Sequence, residues 1–113
     1  MQFFPILIKR FLNQVGADNS QRIQMVPKSR SGINPGDIVF FQYGGFFIVV
    51  LVISPVFKDA QTGNRLFTGF KVPFASEYTA DSLETLYKNK ELPQENYRTY
   101  IVSKIQSPVF RVK

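Results

Sequence analysis

A chain of 113 residues with 44% hydrophobic and 15% aromatic content carries enough apolar material for one compact domain and too little for two. It has no Cys, which excludes disulfides and thiol chemistry, and no His, which removes the commonest general base and the commonest metal ligand. A formal charge of +6 attracts anionic partners, but the Lys and Arg residues are scattered rather than clustered, the pattern of a solvated surface.

The opening segment MQFFPILIKRFLNQVG is too short to span a bilayer and lacks the charge order and cleavage site of a signal peptide. Phe4, Leu7, Ile8, Phe11, Leu12 and Val15 recur at helical spacing, so residues 5–15 are expected to form a short amphipathic helix. Three roles are open to it: packing on its own body, docking as an arm into a neighbour, or lying on a membrane surface. Residues 16–35 are polar and rich in Gly, Ser and Pro, with room for one short strand about Ile23–Val26. The expected division is therefore an N-terminal arm or helix with its linker over 1–30 and a β domain over 31–113.

Residues 34–53, NPGDIVFFQYGGFFIVVLVI, write out a β-hairpin. Two β-rich runs, Ile38–Tyr43 and Phe46–Ile53, flank a Gly44-Gly45 pair suited to a two-residue turn. The run FFIVVLVI shows no polar alternation, which implies burial on both faces and a central position. Ser54-Pro55 is expected to close the second strand, and residues 58–64 to turn into a third strand over 65–72 that ends at Pro73.

One helix is expected at about 81–90. Asp81 or Thr79 can cap it, Glu84 would complete a box with Asp81, and Leu83, Leu86 and Tyr87 make the apolar stripe. Lys88 and Lys90 suit the C-terminal end of its dipole, and Pro93 is expected to stop it. A β-rich run follows over 97–106, with a last short strand at Val109–Val112 after Pro108.

No spacing supports catalysis. Asp37 at a strand entrance, Asp59 in a turn and Asp81 and Glu84 at a helix start all fit structural duties, and neither a Ser-x-x-Lys pair nor a phosphate loop occurs. Neither an enzymatic activity nor any cofactor or metal is therefore expected. Aromatic side chains next to cations could form a nucleic-acid platform. Lys58, Arg65, Lys71, Arg98 and Lys104 are the candidate contacts to nucleic acid or an acidic partner, with Tyr97 and Tyr100 beside Arg98 as a second patch, although Phe40, Tyr43, Phe46, Phe67 and Phe70 are also needed to fill a small core.

Pro35-Gly36-Asp37-Ile38-Val39-Phe40-Phe41, followed by a hairpin and a second buried strand, resembles the first strands of Src-homology-3-like small barrels, including KOW-type modules, over about residues 34–72. Asn96 to Ile105, NYRTYIVSKI, resembles the Phe-Arg-Thr-Phe-Arg-Leu-Asp-Arg-Ile run of WYL domains, but the Trp-Tyr-Leu signature is missing and no ligand role carries over. Over its whole length the chain resembles small proteins encoded by tailed bacteriophages. The resemblances imply a mainly β fold, a small Src-homology-3-like barrel with one short helix. They also imply a non-enzymatic structural or assembly role in a virion (tail, baseplate, neck or capsid), among other virion proteins in a multi-copy assembly. Phe3, Phe4, Ile6, Leu7, Phe11 and Leu12 would then be the arm's docking residues. The alternative is a cytoplasmic nucleic-acid-binding or transcription-modulating barrel.

Overall fold

The computed structural model describes residues 11–13, 23–26, 32–43, 45–73 and 78–112, with 23–26, 43, 107 and 108 described by backbone alone. The fold is mainly β. Its strands are β1 (Ile23–Val26), β2 (Asp37–Tyr43), β3 (Phe46–Val52), β4 (Phe57–Lys58), β5 (Arg65–Lys71), β6 (Tyr97–Ile101) and β7 (Gln106–Val112). The helix α1 (Ala80–Lys88) lies between β5 and β6, and single 3-10 turns occupy Gln94–Asn96 and Val102–Lys104.

Among the described residues all strand pairs are antiparallel and form one sheet. Leu66 faces Phe57 on one side and Ile101 on the other, while Gly69 faces Val52 and Arg98. β3 and β4 therefore share one edge of β5, and β6 takes the other. The sheet has six positions, β1-β7-β2-β3-β5-β6, with β4 continuing the β3 position. The expected hairpin is present: Tyr43 pairs with Phe46, and the register runs on to Ile38 with Leu51. The strand considered at Ile23–Val26 is also present and pairs with Val109–Val112.

Prolines mark where the ladder gives way, because they have no N–H to donate. β3 ends at Val52, and the N–H groups of Ile53 and Ser54 both donate to the carbonyl of Thr68. The Ser54 hydroxyl accepts from the Thr68 N–H at 2.9 Å, supplying the acceptor that the bulge removes. The break expected at Pro108 becomes a bulge inside β7: Ile38 pairs with Phe110 but Phe40 pairs with Gln106, so β7 carries two extra residues there. The β-rich run expected over 97–106 is divided by the 3-10 turn at Val102–Lys104.

Helix α1 is capped by Thr79, whose hydroxyl accepts from the Ser82 N–H at 3.1 Å while the Ser82 hydroxyl accepts from the Thr79 N–H at 2.8 Å. Glu84 has no part in the cap; it is buried and lies 3.6 Å from Lys88. The helix stops before Pro93 is reached. The Lys90 N–H donates to Tyr87 O and the Glu91 N–H to Leu86 O, which together form a Schellman motif with Lys90 at φ 58°.

Strand alternation sends Ile38, Phe40, Phe47, Val49, Leu51, Phe70, Phe110 and Val112 to one face of the sheet, where Leu83, Ala80, Leu92 and Phe11 cover them. Val39, Phe41, Ile48, Val50, Val52, Phe67 and Val109 go to the other, under Ile33, Val102 and Ile105. Gly69 is required on the second face: a Cβ there would run into Val50 Cγ1 and sit 3.1 Å from Phe67 and 3.2 Å from Tyr100. Gly69→Ala is expected to lower stability by about 1–3 kcal/mol, as overpacking does. A denaturant midpoint equal to that of the unaltered chain would show that Val50 can move aside.

Candidate interaction surfaces

The clearest electrostatic feature is internal. Asp37 is fully buried; its Oδ1 accepts from Arg111 Nε at 3.0 Å and its Oδ2 from the Asn34 N–H at 2.8 Å. Asp37 thus serves the turn, as its place in the sequence suggests, and also holds a cross-strand cation 74 positions away. Tyr87 of α1 closes over the same spot. A Cβ on Gly36 would lie 3.1 Å from the Tyr87 hydroxyl, and Gly36 has φ 94°, so both close approach and backbone geometry call for glycine. Burial raises the Tyr87 pKa above its ordinary 10.0; the Asp37 carboxylate raises it further and Arg111 opposes.

A second acidic group also has local work. Asp59 accepts from the Thr62 hydroxyl at 2.6 Å and from the Thr62 N–H at 3.2 Å, and that hydroxyl bond lowers its pKa. Among the described residues, no group of three Asp or Glu side chains could hold a metal ion, and no helix is long and apolar enough to cross a membrane.

Of the expected arm residues, Phe3, Phe4, Ile6 and Leu7 lie outside the described residues. Phe11 is 1% exposed, with its ring edge-on to Phe40 at 5.7 Å, so its apolar surface is spent inside the chain's own core; Leu12 is partly buried against the same cluster. The aromatic side chains weighed as a stacking platform go mostly the same way: Phe40, Phe67 and Phe70 are fully buried, and Phe46 at the hairpin tip is exposed.

The five candidate cations divide between the two ends of β5, roughly 20 Å apart for a seven-residue strand. At its start, Lys58 stands directly opposite Arg65, and Lys104 belongs to the 3-10 turn that packs on β5. At its end, Lys71 and Arg98 line a shallow groove of about 500 Å³ with Pro73 and Asn96. The Arg98 guanidinium donates to the carbonyls of Glu95 and Tyr97 at 2.8 and 2.7 Å, which holds it on the rim.

Two features went unread in the sequence. Phe57, Leu66 and Ile101 are register partners across β4, β5 and β6, so they form one row on the face that α1 covers further along. Phe57 is 45% exposed, and Leu66 and Ile101 are half-buried. The second feature is a groove of about 470 Å³ at the C-terminal end of α1. Pro35, Ile53, Leu92, Tyr87 and Tyr97 make its floor, and Lys88, Lys90 and Gln94 its rim. No local sequence signal marks either one, because strand register and helix placement create both. Comparisons with protein-family models, with curated proteins and with solved structures return no match to this chain.

Because the raised Tyr87 pKa favours the neutral phenol in the fold, the stabilisation it reports is full below the unfolded value near 10.0 and is lost as pH climbs through the folded one. Spectrophotometric titration is expected to show a tyrosine component ionising above 10.0 and that component vanishing in Tyr87→Phe. Arg111→Met is expected to cost about 2–3 kcal/mol, less than a fully buried pair because the Arg111 side chain is 39% exposed. Unchanged stability in that variant would show that Asp37 does not need its cation.

Proposed function

We propose that the chain is a non-enzymatic assembly protein of a tailed-bacteriophage particle, acting through protein–protein contacts. The observation that carries the protein-contact reading is the Phe57–Leu66–Ile101 row, an apolar strip of three cross-strand neighbours left part-exposed at one end of the sheet. Burying a large apolar side chain is worth about 1.5–3 kcal/mol, so this strip is a natural place for a partner to settle. The like-charged neighbours Lys58 and Arg65, directly opposite one another, favour an acidic edge on that partner.

The body is read as a small barrel of Src-homology-3-like type. In support, β7 returns from the C-terminal end to pair with β2, the first strand of the β2-β3-β5-β6 meander. The non-enzymatic reading is supported by the structural duties that Asp37, Asp59 and Glu84 already perform. The virion rests on the whole-chain resemblance noted in the sequence.

Mass spectrometry of purified, nuclease-treated particles from cells producing this chain tests the reading, with the chain expected at a fixed stoichiometry. Phe57→Glu is expected to remove it from the particles while the isolated variant keeps its circular-dichroism spectrum. Particles that contain no trace of the unaltered chain would contradict the reading. A second reading, nucleic-acid binding, is favoured by the gathering of the exposed Lys71 and Arg98 along one groove. It requires oligonucleotide affinity that falls steeply with salt and weakens in Lys71→Ala.

A further inference from the structure

We propose that the groove at the C-terminal end of α1 binds an acidic peptide segment of a protein partner, with the partner's large apolar side chain on the floor and its carboxylate at Lys90. The inference deepens the assembly reading and rests on it. It starts from an oddity of the backbone: Lys90 adopts φ 58° at the position where a Schellman motif ordinarily takes glycine. A left-handed lysine is strained, and such strain gathers at ligand-binding positions.

Attraction to the helix dipole suits a cation here but asks for no left-handed backbone. Three of the last carbonyls of α1 are satisfied by main-chain donors, Thr85 by Asn89, Tyr87 by Lys90 and Leu86 by Glu91, so the Lys90 ammonium is not needed to cap them. Lys88 lies on its Glu84 partner at 3.6 Å, whereas Lys90 is exposed and its ammonium takes part in no ion pair among the described residues. What Lys90 does border is the groove, beside Lys88 and Gln94, over Leu92, Ile53, Pro35 and the two tyrosines. Lys90 as the cation without an ion-pair partner among the described residues, and no acid in the lining, above an apolar and aromatic floor, complement a segment that carries Asp or Glu next to a large apolar residue. A volume of about 470 Å³ lies within the range of ligand sites.

The test is an NMR titration of the labelled full chain with an acetylated, amidated Glu-Phe-Glu tripeptide, and with Glu-Ala-Glu and Lys-Phe-Lys as controls. Saturable shifts are expected at residues 87–92, 94 and 97 with Glu-Phe-Glu and not with either control. Lys90→Gly suits the left-handed backbone, so its melting temperature should hold or rise while its affinity falls about threefold to fivefold, the worth of one exposed ion pair. Absence of saturable shifts in the unaltered chain, equal binding by Lys90→Gly, or the same residues shifting with a single-stranded oligonucleotide instead would each overturn the proposal. Loss of particle incorporation in Phe57→Glu alongside a silent groove would defeat this inference and leave the assembly reading standing; the chain's absence from particles despite peptide binding would do the reverse.

Discussion

Side chains 38–41 and 49–52 are fully buried and those of Phe47 and Ile48 nearly so, and each face of the β2–β3 hairpin therefore demands its own cover. On one face the cover is α1 with Leu92 and Phe11, set against Phe40, Val49, Leu51 and Phe70. On the other it is the 3-10 turn at Val102–Lys104 with Ile33 and Ile105, set against Phe41, Val50 and Phe67. The stacked rings of Phe41, Phe67 and Tyr100, 5.2 to 6.3 Å apart, fill that second face, and they close up only because Gly69 offers no side chain between them. The Asp37–Arg111 pair then fixes β7 against β2 at the hairpin's start, beneath Tyr87.

Two-sided burial also explains where recognition can and cannot happen. A strand with both faces covered has no surface to offer, so contacts fall to what lies at the margins of the covers. One margin is the far end of the helix-covered face, where Phe57, Leu66 and Ile101 emerge. The other is the C-terminal end of α1, where the chain turns through Lys90 and leaves a groove against the hairpin's last residues. The core thus fills with aromatics while the cations are left to the rims.

How much of this could be read in advance depends on the range of the forces involved. The hairpin was legible because apolar runs and a two-glycine turn are local, and so was α1, whose stripe and cap lie within ten residues. Between two candidate caps, local chemistry could not choose; Ser82 completed the box with Thr79. The helix, expected to about residue 90, ends at Lys88, and the Schellman turn that ends it was not legible because Lys90 stands where glycine would have announced it. The Asp37–Arg111 pair joins residues 74 positions apart, and the grouping of Lys58 with Arg65 and of Lys71 with Arg98 follows from register, so neither leaves a local signal. Which of the open roles Phe11 takes was not legible, because helical spacing does not reveal which apolar surface a residue meets; its ring lies against Phe40.

Native-state amide exchange tests most directly whether the doubly covered hairpin is the scaffold on which the rest is held. The amides of Val39–Phe41 and Val49–Leu51 are expected to exchange only through global unfolding, with free energies equal to that from denaturant titration. Those of Phe57, Lys58 and Thr99, on a two-residue strand and an outer strand, are expected to exchange earlier by local opening. Hairpin amides that exchange as fast as those of β4, in a chain whose denaturant stability is intact, would contradict a scaffold role for the hairpin.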